Sequence, residues 1–350
     1  MKTASLLLVG VATLAPCLVT GQRPTPDWEV TSDALADAWF EGLAAVGLTG
    51  FGAWPLVAPA APARRAGAPE AVGLRDALEA DPAFEVLHFL PLYMRGADAG
   101  AALGALQRVL DGADPSEAPP GTRRGADVVA AFFSTTHQRA VLTAFLEQVE
   151  AIRPVPGSDA ARQAIDAALQ TRWARTVAPA LADFLAREGM ESGTIVPVDA
   201  LGPEGRFLAR DPTAPDRVVV AVARPADTSD AALDAALGAV VREICHPAVR
   251  RVFGPLEART RDRRQAAQVS DHTATRCGLL LLQARVPDLV PAYRARFGLD
   301  PGSDRAFLTA AGLPAGVAAL EGPLEEALRR QLHLHDDQPW APRPPVRRNP

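Results

Sequence analysis

The stretch "AALGAVVREICHPAVRRVFG" (residues 235–254) decides how the second half of the chain folds. Its apolar spacing predicts a helix running from Thr228 to Phe253. Positions 242 and 246 are four apart and share one face of that helix, with Glu243 beside them. Pro247 lacks an amide hydrogen, and its ring displaces the carbonyl four residues back, which belongs to Glu243. The helix is therefore expected to bend or end there.

Immediately upstream, "GTIVPVDA" (193–200), "GRFLAR" (205–210) and "DRVVVAVARP" (216–225) are short, rich in β-branched residues and separated by turn residues. They predict a small antiparallel sheet packed on the motif helix. Further helices are expected over Gln265–Ala284, Val286–Phe297, Asp304–Ala311 and Pro323–His333. Before Gly189 the chain reads as helical: Ser32–Gly47 capped by Ser32 or Asp33, Gly100–Leu110, Ala126–Ile152 with His137 near its middle, and Asp159–Glu188 kinked at Pro179. "FEVLHFLPLYM" (84–94) suits a buried strand or a helix that stops at Pro91, and "PLVAPAAPARRAGAP" (55–69) an exposed connector. The expected fold is α+β and mostly helical. It divides into a helical domain (22–188), a sheet-plus-helix domain (189–335) and a mobile tail (336–350).

With 350 residues, 48% of them hydrophobic, the chain can bury a sizeable core. Its formal net charge of −5 supplies no general attraction to phosphate backbones, so nucleic acid is not an expected partner. The first residues, "MKTASLLLVGVATLAPCLVTGQ", combine one positive charge, an apolar run and small residues in the manner of a secretory signal peptide. Val19 and Gly21 suit the positions before cleavage, which leaves residues 1–21 as the leader and Gln22 as the new terminus. A lipid anchor at Cys17 is disfavoured by Pro16 directly before it, and Pro16 also interrupts a segment barely long enough to span a membrane. No membrane span is expected in the mature chain, and its expected location is periplasmic or extracellular. After cleavage Cys245 and Cys277 remain. In an oxidising compartment an even pair invites a disulfide; the alternative is two buried thiols acting as small hydrophobes.

Three short strands followed by a helix that carries Glu243 and His246 resemble the gluzincin arrangement of zinc metallopeptidases, over roughly residues 193–282. The H-E-x-x-H motif of such proteins sets two histidines on one helix face to hold zinc, with the glutamate as general base. Here Arg242 takes the first histidine's place, and a guanidinium, protonated at any physiological pH, cannot ligate a metal. The third ligand implied by the resemblance, a glutamate some 18 residues past the motif, falls on Gln265, whereas other loop lengths would bring Asp271 or His272 into play. The resemblance thus implies a metallopeptidase-like protein whose zinc site has decayed, with Arg242 replacing the metal's charge and pairing with Glu243. Such a protein would need no cofactor and would bind extended peptide or an envelope protein beside its last strand. An active zinc hydrolase would instead use Glu243 as base and His246, His272 and Asp271 as ligands. A structural envelope protein is the third class, and an ordinary ion pair of Glu243 with Arg242 or Arg250 explains the motif equally well.

Other groups carry less. Glu85 and His88 repeat the E-x-x-H spacing, and His333–Asp337 ("HLHDD") gathers two imidazoles and two carboxylates suited to an adventitious transition metal. His137 reads as a structural histidine. The Glu257–Gln265 stretch ("EARTRDRRQ") reads as a solvated face or a seat for an acidic partner.

Overall fold

The computed structural model describes residues 26–48, 69–152, 159–211, 214–257, 260, 262–300 and 306–334. The leader, the 55–69 connector up to residue 68 and the 336–350 tail lie outside the described residues, as does the carboxy-terminal part of the "HLHDD" group.

A four-stranded sheet organises the protein: β1 (Asp27–Val30), β2 (Ser192–Val198), β3 (Arg206–Leu208) and β4 (Val218–Ala223), in the order β1-β2-β4-β3. β1 and β4 both run parallel to β2, while β3 alone is antiparallel to its neighbour β4. The expected antiparallel sheet is therefore corrected to a mixed, mostly parallel one. The physical reason is visible in the strands themselves. β4 throughout and β2 from Ile195 onward are apolar, and both strands are buried on both faces, as parallel strands covered by helices are, whereas an antiparallel sheet with one wet face would alternate. The fourth strand comes from the amino-terminal arm, where Asp27–Val30 pairs with Ser192–Ile195.

Successive strand residues point to opposite faces. Ile195, Val218, Val220 and Val222 enter one core with Trp173, Leu237, Val240, Ile244 and Tyr293; Val196, Val198, Val219 and Ala221 enter another with Trp39, Leu106, Val129 and Phe145. The second core is closed by α1 (Ala34–Ala45), α2 (Pro69–Ala80), α3 (Ala99–Leu110), α4 (Pro120–Phe132) and α5 (Thr136–Ala151). The first is closed by α6 (Asp159–Arg172), α7 (Ala178–Arg187), α8 (Asp230–Ile244), α9 (His246–Glu257), α10 (Arg263–Arg285), α11 (Val290–Phe297), α12 (Phe307–Ala310), α13 (Ala315–Ala318) and α14 (Glu321–Gln331). β1 crosses the boundary expected at residues 188/189 to pair with β2, and α6 and α7 share their core with α8 and α10.

Several helices differ from expectation for local reasons. The long helix expected over Ala126–Ile152 is two, because Thr135 and Gln138 form a reciprocal capping box that starts α5. His137 consequently lies exposed in the first turn of α5 rather than in mid-helix. Residues 84–94 form neither strand nor α-helix: Asp81 caps a 3-10 turn over Pro82–His88, and a second follows over Leu90–Met94 with Pro91 in its first turn. Pro179 is absorbed by a π-turn over Trp173–Val177 that joins α6 to α7. No helix among the described residues is long and apolar enough to cross a membrane.

Candidate functional site

The motif helix ends as Pro247 demands. α8 stops at Ile244, Cys245 caps it, and α9 begins at His246 with Pro247 in its first turn, where the missing amide hydrogen is not needed. Arg242 and Glu243 therefore occupy the last turn of α8, and His246 the first residue of α9. α10 runs alongside α8 and brings up Asp271 and Thr275.

Arg242 is fully buried and Glu243 is 1% exposed. One guanidinium nitrogen of Arg242 (Nη1) is hydrogen-bonded to Glu243 Oε1, Nη2 lies 3.4 Å from Asp271 Oδ1, and Nε donates to Thr275 Oγ1 at 3.1 Å. The guanidinium carbon sits 5.8 Å from the centre of the Phe297 ring, a cation–π distance. The other Glu243 oxygen, Oε2, is 3.2 Å from His246 Nε2. His246 keeps 22% of its side chain exposed and is the most open of these groups.

A strap made by residues 199–205, between β2 and β3, closes over the pair. The Gly205 amide donates to Glu243 Oε1 at 3.1 Å, and Arg296 from α11 holds the strap by donating to the carbonyls of Pro203 (3.2 Å) and Gly202 (3.0 Å). Glu204, buried on the strap, pairs with Arg206 of β3 at 3.0 Å. A side chain at position 205 would meet the Ala221 carbonyl at 2.5 Å and Glu243 Cγ at 2.7 Å, so only glycine permits this approach. Gly205→Ala is expected to lower stability by about 1–3 kcal/mol by lifting the strap off Glu243. Equal urea midpoints for the variant and the wild type would show that the strap does not pack this way.

The electrostatics follow from this closure. Burial pushes the Glu243 carboxyl up, but Arg242 foremost, then His246 and Arg206, overcome it and hold it down at about 2. Burial and the nearby carboxylates of Asp271 and Glu243 push Glu204 up against the pull of Arg206 and Arg242. Burial lowers the proton affinity of the Arg296 guanidinium to about 10. His272 is also lowered, by burial first, with Asp271 opposing and Arg242 adding to the shift. Three carboxylates, Glu204, Glu243 and Asp271, thus surround a guanidinium that cannot leave.

The structure brings together Arg242, Glu243, His246 and Asp271. It does not make of them the ligand set that an active zinc hydrolase would need. The guanidinium stands between Glu243 and Asp271, and among the described residues no group of three or more His, Cys, Asp or Glu side chains is arranged to hold a metal ion. A zinc ion does not fit this donor set while Arg242 is present. Gln265, at the position counted for a third ligand, lies instead at the amino terminus of α10, its amide donating to the Asp262 cap. The second E-x-x-H pair separates: Glu85 binds Arg263 at 3.0 Å, and His88 is buried with its proton affinity pushed down to about 3 by burial and Arg206. Cys245 and Cys277 form a disulfide with a Cα separation of 6.1 Å.

Sequence reasoning missed Glu204, Arg206, Thr275 and Arg296. One signal was present for the first two: Glu204 and Arg206 flank a glycine at the start of a short strand whose remaining residues are apolar. The strand expected to offer a peptide-pairing edge, the last before the motif helix, is β4, which is flanked on both sides; the sheet edge here is β3. Comparison with protein-family models, with curated proteins and with solved structures finds no match for this chain.

Proposed function

We propose that this is an exported, metallopeptidase-like protein whose zinc site has decayed and which acts by binding rather than by catalysis. The observation that carries the proposal is the place of Arg242: wholly buried, bonded to Glu243 and facing Asp271, it puts a permanent positive charge where the H-E-x-x-H arrangement would put a metal ligand. Glu243, held ionised and 1% exposed beneath the strap, is shielded from bulk solvent. The ligand class proposed is an extended peptide, adding to β3, which stands at one end of the sheet among the described residues.

The test is metal content of the protein comprising residues 22–350 after dialysis, beside Arg242→His and His246→Ala variants. The wild type is expected to carry no zinc above background, and Arg242→His to acquire it. Stoichiometric zinc in the wild type, lost in His246→Ala, would replace this proposal with an active hydrolase.

A further inference from the structure

β1 is held in the way a bound peptide would be. Of its four residues, Asp27–Val30, Trp28 is buried, Val30 is half-buried and the two acids are exposed. One flank is β2. The Asp27 amide donates to the Glu191 carbonyl at 2.7 Å and the Thr31 amide to the Ile195 carbonyl at 2.9 Å, so the alternate backbone groups of Trp28 and Val30 face away from β2. The other flank is Gln170 of α6, whose carboxamide takes the place of a further strand: Oε1 accepts from the Val30 amide at 2.6 Å, and Nε2 donates to the Trp28 carbonyl at 3.0 Å. Backbone bonds on both sides seat an extended segment without regard to its sequence.

Side chains then choose the segment. Trp28 lies across Gly193, where a Cβ would meet the indole ring at 2.7 Å; the ring is 4.9 Å from that of Trp173, and its Nε1–H donates to the Met190 carbonyl at 3.0 Å. One guanidinium reads the charges on either side: Arg217 pairs with Asp27 at 2.8 Å and lies 3.5 Å from Glu29, which also accepts from Thr194 Oγ1 at 3.2 Å. Asp27 and Glu29 keep 78% and 52% of their side chains exposed, so the indole is the anchor and the carboxylates are its flanks. We propose that the slot between β2 and α6 is a peptide-binding groove, occupied by the chain's own residues 27–30 and open, in their place, to an extended segment of another protein that carries tryptophan between two acidic residues. The groove is separate from β3 and from the Arg242–Glu243 pair and depends on neither. The resident arm keeps it closed to weak competitors, because a tethered segment acts at an effective concentration on the order of millimolar.

The test uses a fluorescent peptide with the sequence of residues 22–31, QRPTPDWEVT, and the protein comprising residues 22–350 as wild type and as Trp28→Ala, which weakens the resident arm. By anisotropy the peptide is expected to bind Trp28→Ala at least about tenfold more tightly than the wild type, whose own arm competes. Adding Gly193→Ala to that variant, or replacing the peptide's tryptophan by alanine, is expected to abolish binding. Equal affinity for all forms, or no binding to folded Trp28→Ala at millimolar peptide, would overturn the proposal. Wild-type dimers that the peptide dissociates would give the groove to the arm of a second copy and overturn its assignment to another protein. If Trp28→Ala does not fold, hydrogen exchange of the wild type decides. The Trp28 indole N–H and the Val30 amide are expected to exchange through a shared opening at least about tenfold more frequent than that of the β4 amides. Equal protection would mean that the arm leaves only on global unfolding, and the groove could then admit no other segment.

Discussion

Replacing Arg242 by methionine is expected to lower the unfolding free energy by about 3–5 kcal/mol at neutral pH. The loss comes less from the attraction that disappears than from what stays behind: Glu243 at 1% exposure, beside Asp271, with the guanidinium that compensated both of them gone. The same geometry predicts how the deficit varies with pH. In the wild type the depressed Glu243 carboxyl contributes stability above its unfolded value near 4.5, which is lost as pH falls toward about 2. In the variant the burial contribution loses its principal opponent, so Glu243 takes up a proton at higher pH and the penalty is relieved. The gap between the two proteins should therefore narrow as pH falls through about 5. A second change, Arg242→Met with Glu243→Leu, removes both charges of the pair and is expected to recover most of the loss, because two buried apolar residues avoid the desolvation that a lone ion suffers. Urea unfolding of the three proteins measures this. A double variant no more stable than Arg242→Met alone would mean that Asp271 and Glu204, rather than Glu243, hold the guanidinium.

How much of this was legible beforehand depended on the range of the interaction concerned. α1 with its Asp33 cap and the break before Pro247 were readable because cap chemistry and proline geometry act within one helical turn. The direction of the strands was not read. The continuous apolar runs "TIVPV" and "VVVAVA" signal burial on both faces, yet which strand lies beside which is set by packing between residues 27–30 and 192–195, more than 160 positions apart. At the site the split is similar. Arg242, Glu243 and His246 announce themselves by spacing along the chain, and the pairing of Arg242 with Glu243 was expected both from charge replacement and from an ordinary ion pair. Glu204, Thr275 and Arg296 come from three other segments and meet the pair only when the strap, α10 and α11 close over it. Nothing local distinguishes Thr275 and Arg296 from surface residues of the same type, and for Glu204 the one local sign is its place beside a glycine at the start of a short strand.

Removal of the disulfide is expected to cost a comparable amount through a different state of the chain. Cys245 and Cys277, 32 positions apart, tie the cap of α8 to the middle of α10, and both are fully buried. Closing a loop of that length restricts the unfolded chain by about 3–4 kcal/mol in the chain-entropy account. Cys245→Ala with Cys277→Ala should lower stability by roughly that amount, and the wild type under strong thiol reductant should approach the double variant. The two bridged positions also bracket the buried ion pair: Cys245 lies two residues past Glu243, and Cys277 two past Thr275, which receives the Arg242 Nε–H. The crosslink therefore holds together the two helices that supply the guanidinium and its partners. Double-mutant comparison separates the two effects: if the bridge acts only on the unfolded chain, the losses from Arg242→Met and from the cysteine pair add. If it also keeps Asp271 and Thr275 in register with Arg242, the combined loss falls short of the sum by about 1 kcal/mol or more, since the ion pair is already weakened once the helices are free to shift.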